Sequence, residues 1–481
     1  MNRRKFITDV GSSLARYTVT FTRGVLLIPL IVRIMGIESY GVWVGVLGVS
    51  SILSTLGTLN LGSALVRYAP SADTSERVLV ETLVLAVAAT TLLAAGYVAV
   101  GLSASWLIGD VGTDIILASG SYIIANGFRQ LTQSYLRALD RIKLHESVTT
   151  LKTLSDIGGL VLAFGVFRSV AVGFLALSAV SVLIGFTVLF AFLPGHRVRP
   201  RMAPLERYLR FSLPLVPQTL SSRLIRNGDR YLVLVFVGPT AAGIYSVASV
   251  AGKMLEDISK TINPALLPAV VREWDAGNWD SLRELYNRVL RWYVLFAVPA
   301  LAGIAVLAGD IIAVLISAPT TRSVESYVLT MGVAYVISGF NTPFGAVFQA
   351  DEKTRDFGML YAGAAVLNVF GNLLLIPLYG VAAAVATTAL TYLIVTGQMY
   401  RLAARLFTFR FPWAALVHAA VGSALMVAVL HVVPTPAASL YRLVFVPAVG
   451  VLAYTCSLLA MGALTEDEKH YLRSIAAYID G

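Results

Sequence analysis

The chain has 481 residues, of which 57% are hydrophobic and 13% are charged, and its formal net charge is +10. A soluble domain carries about 25% charged residues, so this composition excludes a soluble protein and indicates a polytopic membrane protein. The single cysteine, Cys456, excludes an intramolecular disulfide and a cysteine-based metal cage.

Apolar runs of the length that spans a bilayer recur along the whole sequence. The first of them follows a basic start and has no small-residue cleavage motif, so we expect a retained first helix and not a signal peptide. The sequence therefore predicts an all-α polytopic membrane protein with about 14 transmembrane helices. The predicted helices cover residues 12–35, 41–66, 78–101, 114–137, 148–167, 170–193, 211–237, 241–262, 289–317, 326–350, 358–377, 380–400, 412–433 and 440–462.

Lysine and arginine are concentrated in alternate segments between these helices. If the amino terminus is cytoplasmic, the outside loops hold only Arg33, Arg168, Arg322 and Arg442. This positive-inside bias predicts a multi-pass protein of the cell membrane with both termini in the cytoplasm. The net charge is then a topology signal that also attracts anionic membrane lipids, and we expect no nucleic-acid partner.

The chain contains an internal repeat. Residues 34–43 and 236–245 both place two glycines five apart, followed by a β-branched residue and an aromatic one. The first glycine of each motif suits a tight outer turn, which needs unusual backbone angles. Six helices in each half make the repeat a parallel one, about an axis along the membrane normal. We expect an N-terminal lobe at 1–200, a C-terminal lobe at 201–405 and two extra helices with a short tail at 406–481.

The seventh predicted helix contains a row of charges. Arg223, Arg226 and Arg230 lie at i, i+3 and i+7, on one face of the helix, with Asp229 slightly to one side. Each charge costs roughly 2.5–3.5 kcal/mol to insert at a helix centre, so such residues are typical of a polar interior that serves a function.

Polar residues on two further helices fit the same interior. The fourth helix has a stripe formed by Asn126, Arg129, Gln130 and Gln133, and the first helix contributes Arg23. We predict a cationic cavity between the lobes that binds an anionic group, because the planar guanidinium suits phosphate or carboxylate. The predicted substrate-binding residues are Arg23, Arg129, Arg223, Arg226 and Arg230. The alternative is structural: pairing with Asp229, capping of carbonyls, or reaching toward headgroups.

Two acidic residues are candidates for coupling to an ion or for charge pairing. Asp156 lies four residues after Lys152, a spacing that favours an ion pair within the helix, and Asp229 has already been placed among the arginines. No catalytic motif, nucleotide-binding loop or acidic metal cluster is found, so we predict no enzyme activity, no metal and no cofactor.

Three other sequence features have structural interpretations. A kink is expected at Asn341 and Pro343, and Asn368 with Asn372 are expected to bridge helices. Residues 271–288, with two tryptophans among mixed charges, predict an interfacial amphipathic helix.

Three segments resemble a known family: residues 36–43, residues 59–68, and residues 211–217 leading to Asp229. With the 14-helix layout, they resemble Wzx-type flippases, the polysaccharide-transport branch of the multidrug/oligosaccharidyl-lipid/polysaccharide (MOP) exporter superfamily. The resemblance covers nearly the whole chain and implies a MATE- and MurJ-like fold. It also implies that Arg23 and the charged residues of the seventh predicted helix line the cleft between the lobes.

From this resemblance we expect a flippase of isoprenoid-pyrophosphate-linked oligosaccharide that works by alternating access. The expected partners are that glycolipid, membrane lipids and, in addition, a glycan polymerase or ligase. One alternative is a cation-coupled MATE-type multidrug exporter, which should have carboxylates and aromatics in its cavity. A second alternative is a non-transporting scaffold of a glycan-assembly complex.

Overall fold

A computed structural model describes residues 3–71, 75–104, 107, 111–192, 205–316, 322–351, 354–434, 436 and 438–463; for residues 3–26, 71, 142, 258, 261–265, 322, 354–357 and 440 only the backbone is described. Within these ranges the regular structure is helical. The α-helices are α1 (Arg3–Gly57), α2 (Leu61–Tyr68), α3 (Ser75–Ser103), α4 (Thr113–Ala138), α5 (Ile142–Gly165), α6 (Val170–Phe192), α7 (Leu205–Ser212), α8 (Val216–Phe236), α9 (Pro239–Asp275), α10 (Trp279–Ile316), α11 (Arg322–Gly339), α12 (Asn341–Ala350), α13 (Thr354–Tyr379), α14 (Val381–Leu406), α15 (Trp413–Val432) and α16 (Ser439–Ala460).

These helices account for all fourteen predicted spans. Within the described residues, nine helical segments are long and apolar enough to cross a membrane by length and composition. The helices α4, α5, α8 and α9 are not among the nine, and they contain most of the polar residues singled out above. Their polarity is consistent with helices that face one another or an aqueous interior instead of lipid.

The internal repeat is visible in the backbone. The helix α1 consists of two helices joined at Gly36, which has φ 87° and ψ 163°. Gly238, the corresponding residue before α9, has φ 112° and ψ 175°. A side chain strongly disfavours both conformations, so the glycines predicted for the two outer turns are required there.

Three hydrophobic clusters hold the bundle together. The largest contains residues of α1, α4–α6 and α8–α14, and so joins the two predicted lobes. A second packs α15 and α16 onto α10, where Tyr454 donates a hydrogen bond to the Leu295 carbonyl at 2.7 Å and Arg442 pairs with Asp310 at 3.4 Å. The C-terminal helices α15 and α16 therefore attach to the bundle through α10.

The third cluster joins α2, α3 and α4 with the short helix α7. There, the Tyr208 hydroxyl donates to the buried Glu81 at 3.0 Å. The predicted lobe boundary at residue 200 lies in 193–204, outside the described residues, and stays a prediction. The helix that follows this segment packs on the N-terminal half.

Two helix predictions were wrong in detail. Residues 271–288 do not form a separate interfacial helix: α9 continues to Asp275, a turn follows at Gly277 with φ 65°, and α10 begins at Trp279. The predicted helix 211–237 is divided by a 3-10 turn at Leu213–Leu215 into α7 and α8. Pro214 and Pro217 interrupt the backbone hydrogen bonding at this division.

The kink expected near Pro343 is confirmed as a break between α11 and α12 at Phe340. Pro343 has no N–H for the carbonyl of Gly339, and the Ser259 hydroxyl donates to that oxygen at 2.5 Å instead. The Tyr293 and Thr396 hydroxyls likewise donate to carbonyls of the same turn, at 2.7 Å and 3.2 Å. Side chains of α9, α10 and α14 thus donate hydrogen bonds to backbone carbonyls at the break in the helix.

Candidate functional site

The charged residues of α8 are divided between two faces. The side chain of Arg226 is exposed, those of Arg223 and Arg230 are half-buried, and Asp229 is 2% exposed. One residue advances a helix by about 100°, so the carboxyl of Asp229 turns away from the arginine face. The arginines and the acid therefore have different surroundings.

The Asp229 carboxyl is held by hydroxyl and amide donors from three other helices. The Tyr245 hydroxyl of α9 donates to Oδ2 at 2.6 Å, and the Asn372 amide of α13 donates to Oδ1 at 2.6 Å. The Thr388 hydroxyl of α14 also donates to Oδ2. These three partners are all at most 3% exposed. An ionised carboxylate only accepts hydrogen bonds, so this set of donors fits it.

The structural alternative pairs Asp229 with the arginines directly, whereas its hydrogen bonds come from uncharged groups. No Asp229–arginine ion pair is found in the described part of the chain, although Arg230 is close enough to attract the carboxyl. Asn372 also accepts from Thr387, and Asn368 donates to Thr391 at 3.4 Å. The two asparagines bridge α13 to α8 and α14, as their spacing indicates.

Arginines from two helices lie near one another. The positive charge of Arg223 on α8 is close enough to Arg226 and to Arg129 on α4 for mutual repulsion. The helices α4 and α8 belong to different predicted lobes. Like charges that approach within a membrane protein are stabilised by water or by an anion.

The polar stripe of α4 is oriented by its own residues and by α1. Arg129 donates from Nη2 to Asn126 at 2.6 Å and from Nη1 to Gln133. Asn126 and Gln130 in turn donate to the Ser54 hydroxyl of α1 at 3.0 Å and 3.1 Å. These contacts fix the direction of the guanidinium.

Arg230 has a separate environment. Its charge interacts with Tyr40 on α1, Lys253 on α9 and Tyr335 on α11. Further along α9, Lys260 pairs with Glu256 at 2.7 Å and with Asp257 at 3.5 Å. The charge of Arg230 thus acts on residues of α1, α9 and α11, whereas that of Arg223 acts on Arg226 and Arg129.

The three remaining predicted residues are Lys152, Asp156 and Arg23. Lys152 and Asp156 form an ion pair on α5, with the aspartate side chain fully buried and the lysine side chain 13% exposed. Arg23 lies on α1, thirteen residues before Gly36, as Arg226 lies twelve before Gly238. The side chain of Arg23 lies outside the described residues, so its predicted place in the cavity is not tested.

Sequence reasoning missed Ser54, Tyr245 and Thr388. Hydroxyl residues in apolar helices usually donate to their own backbone, which makes them inconspicuous in sequence. Within α14, Thr387, Thr388 and Thr391 share one side of the helix, and that clustering was the available signal. No group of three or more His, Cys, Asp or Glu suited to a metal ion is found in the described ranges.

Solved structures of two membrane transport proteins share this fold. The structure is similar to the lipid II flippase MurJ in an inward closed conformation, with a TM-score of 0.76 and 14% identity over 92% of this chain and 98% of that chain. It is also similar to an inward-facing multidrug resistance MATE family transporter, with a TM-score of 0.65 and 13% identity over 82% of this chain and 98% of that chain.

Residues 30–325, more than half of the chain, match a family described as polysaccharide biosynthesis protein, and the chain belongs to this family. A shorter stretch is similar to "Probable flippase AglR" of Haloferax volcanii, with 24% identity over 169 residues, 34% of this chain. The match spans 34% of that relative, about a third of its length.

Proposed function

We propose that the protein is a flippase that moves an isoprenoid-(pyro)phosphate-linked oligosaccharide from the cytoplasmic to the outer leaflet, for surface polysaccharide or glycoprotein synthesis. The observation that carries the proposal is the approach of Arg129, on α4, to Arg223 and Arg226, on α8. Membership of the polysaccharide biosynthesis family, the MOP fold and the similarity to a flippase relative support it.

In this proposal the arginines bind the pyrophosphate between the lobes. Guanidinium groups bind phosphate oxygens through paired hydrogen bonds, and arginines on opposite lobes can share one anion. Several half-exposed cations hold the headgroup less tightly than one enclosed site, which permits release. The isoprenoid tail remains among apolar side chains and lipid while rocking of the lobes opens the cavity to each side in turn.

The remaining charges have other roles in the proposal. Asp229, with its neutral donors, is the candidate for coupling to a proton or cation, and Lys152 with Asp156 is a structural pair. Both termini are proposed to be cytoplasmic in the cell membrane. A glycan polymerase or ligase is proposed to receive the product.

The first experiment measures which leaflet holds the lipid-linked glycan, with a membrane-impermeant glycan label on intact cells and inverted vesicles. Cells that lack the protein should accumulate the glycan on the cytoplasmic side, and the wild type should restore it outside. The double variant Arg223→Ala/Arg226→Ala should lower translocation at least about tenfold, since a hydrogen bond to a charged group contributes about 1.5–3 kcal/mol.

Two further variants make this test specific. Arg223→Lys/Arg226→Lys keeps the charge and loses the paired hydrogen bonds, so it should retain part of the activity. Arg288→Ala is the matched control, because Arg288 is 62% exposed on α10 and pairs with Glu284. Full translocation by the alanine double variant would remove these arginines from the mechanism.

A second candidate is a cation-coupled multidrug exporter of the MATE type. The buried acidic site at Asp229 and the similarity to a MATE fold favour it. Drug resistance on expression, with unchanged glycan sidedness, would support this function over the first. A non-transporting scaffold predicts that neutralising both arginines leaves glycan export intact.

A further inference from the structure

The two copies of the repeated glycine motif pack against each other. A Cβ added at Gly41 would come within 1.7 Å of the Pro239 carbonyl oxygen, and one added at Gly243 would come within 2.8 Å of the Ile37 carbonyl oxygen. These contacts are equivalent, since residues 37 and 41 shifted by the repeat offset of 202 become residues 239 and 243. Each motif thus uses its second glycine to approach the backbone of the other.

A further contact marks the axis that relates the two motifs. The Thr240 hydroxyl donates to Glu38 at 3.5 Å, and these two residues are also 202 apart. A residue that contacts its own repeat partner lies beside the pseudo-two-fold axis. The junction is therefore central between the lobes, at the end of the helices where Gly36 and Gly238 make their turns.

The contact continues along the second half of α1. Gly45 and Gly48 follow Gly41 at i+4 and i+7, so all three lie on one face. A Cβ at Gly45 would approach Leu234 to 2.5 Å, and one at Gly48 would approach the Asn227 carbonyl oxygen to 3.0 Å. All four glycines of this interlobe seam, at 41, 45, 48 and 243, are buried. Small residues of this kind allow helix backbones to approach closely.

The seam ends next to Arg226 on α8. Its contacts on α8 and α9 run from Asn227 to Pro239, and Arg226 and Arg223 come immediately before Asn227 along α8. Seven residues from Gly41 to Gly48 correspond to about 10 Å of helix. A closed contact of that length separates the arginine group from the end of the bundle at Gly36 and Gly238.

We propose that the interlobe seam is the outer gate of the transporter, closed in this structure, and that it must separate for the cargo to leave. This inference rests on the proposed transport function and topology. The glycines let the lobes close without intervening side chains, so an added methyl group disfavours the closed state and shifts the population toward the state open to the outside. The substitution acts on the closed state alone, because separated lobes leave the Cβ free.

The test measures access from outside to a cysteine placed beyond the seam. Ser51→Cys, in a Cys456→Ser background, lies one turn past Gly48 on the side of the arginines. An impermeant maleimide added to intact cells should label it slowly in the parent. Adding Gly41→Ala or Gly243→Ala should raise the labelling rate about fivefold or more by shifting the two-state balance. The matched control is Gly303→Ala, where a Cβ would meet nothing within 4 Å.

A cross-link provides a second test that adds no volume to the seam. In the same background, Glu38→Cys/Thr240→Cys joins the contact at the axis, and oxidation should stop glycan translocation, which a reductant should restore. Unchanged labelling of properly inserted Gly41→Ala, or full translocation by the cross-linked protein, would overturn the gate. A different result would separate the two proposals. If the labelling rate rises but glycan sidedness is the same with and without the protein, the gate is supported and the proposed cargo is not.

Discussion

At the scale of single residues, Asp229 is the most constrained ionisable group of the described chain. It lies on a helix with three arginines, yet its hydrogen bonds come from Tyr245, Asn372 and Thr388. The nearby positive charge of Arg230 attracts the carboxyl without contacting it. The carboxyl is thus held by uncharged donors from three other helices and not by direct contact with an arginine.

We expect Thr388→Val to destabilise the protein by about 1–3 kcal/mol, because the buried carboxyl loses one donor and gains no replacement. The change keeps the side-chain shape, so packing is preserved. Thermal unfolding in detergent measures the effect. Thr187→Val is the matched control: its hydroxyl bonds to the Leu183 carbonyl on an exposed helix face, and we expect little change. Equal stability of the two variants would argue against an organised site at Asp229.

The pair formed by Lys152 and Asp156 differs from this site in kind. Both residues belong to α5, and their spacing of four already brings the side chains together. This contact was therefore predictable from the sequence. The full burial of Asp156 was not predictable, because burial depends on the helices packed around α5.

At the scale of secondary structure, the break between α11 and α12 shows how the bundle tolerates proline. The freed Gly339 carbonyl accepts from Ser259 on α9, and the Asn341 side chain accepts from Thr396 at 2.9 Å. Non-helical backbone is stable at membrane depth where other helices supply partners. The break therefore also fixes α9 and α14 relative to α11.

We expect Ser259→Ala to destabilise the protein by about 1–3 kcal/mol, because it leaves the Gly339 carbonyl without this donor in a buried position. Pro343→Ala restores an N–H at the residue that normally bonds to that carbonyl in a helix. The double variant should consequently lose less stability than the two single variants together. Additive losses in detergent unfolding experiments would indicate that the two positions are independent.

The helices α9 and α10 show where a local pattern misled the prediction. The 37 residues of α9 span about 55 Å, against about 30 Å for the hydrocarbon core. The mixed charges and tryptophans of residues 271–288 thus belong to the extended ends of two spanning helices. Trp274 and Trp279 face each other across the turn with their ring centroids 5.1 Å apart. An amphipathic pattern alone does not distinguish this hairpin from a helix lying on the membrane.

At the scale of the whole molecule, the alternation of helices gives a topology that can be tested without knowledge of the cargo. The turn at Asn278 and the amino terminus fall on one side of the bundle, and the start of α4 at Thr113 falls on the other. The segments rich in lysine and arginine fall on the same side as Asn278. From the positive-inside rule we expect that side to be cytoplasmic.

We expect a cysteine at Asn278 to react with an impermeant maleimide only in inverted vesicles, and a cysteine at Thr113 to react on intact cells. Both positions are exposed, and Cys456→Ser removes the native thiol. Permeabilised cells, in which both cysteines should react, are the control for reactivity. The opposite pattern would invert the orientation and, with it, the proposed direction of transport.

By itself, the sequence determined the membrane class, the fourteen spans and the repeat. The hydrophobic effect acts on each helix separately, so length and composition are sufficient for the nine apolar spans found in the described residues. Gly36 and Gly238 were likewise readable, because a backbone turn with positive φ requires glycine whatever surrounds it.

Only the tertiary structure decided which residues meet. The donors of Asp229 come from three helices and lie up to 159 residues away, and the second glycines of the repeat motifs contact the opposite lobe. Such contacts depend on the rotation and crossing of packed helices, which no local periodicity specifies. The sequence therefore determined what each helix contains, and packing decided that the acid is enclosed, the arginines approach one another and the glycines meet at the lobe interface.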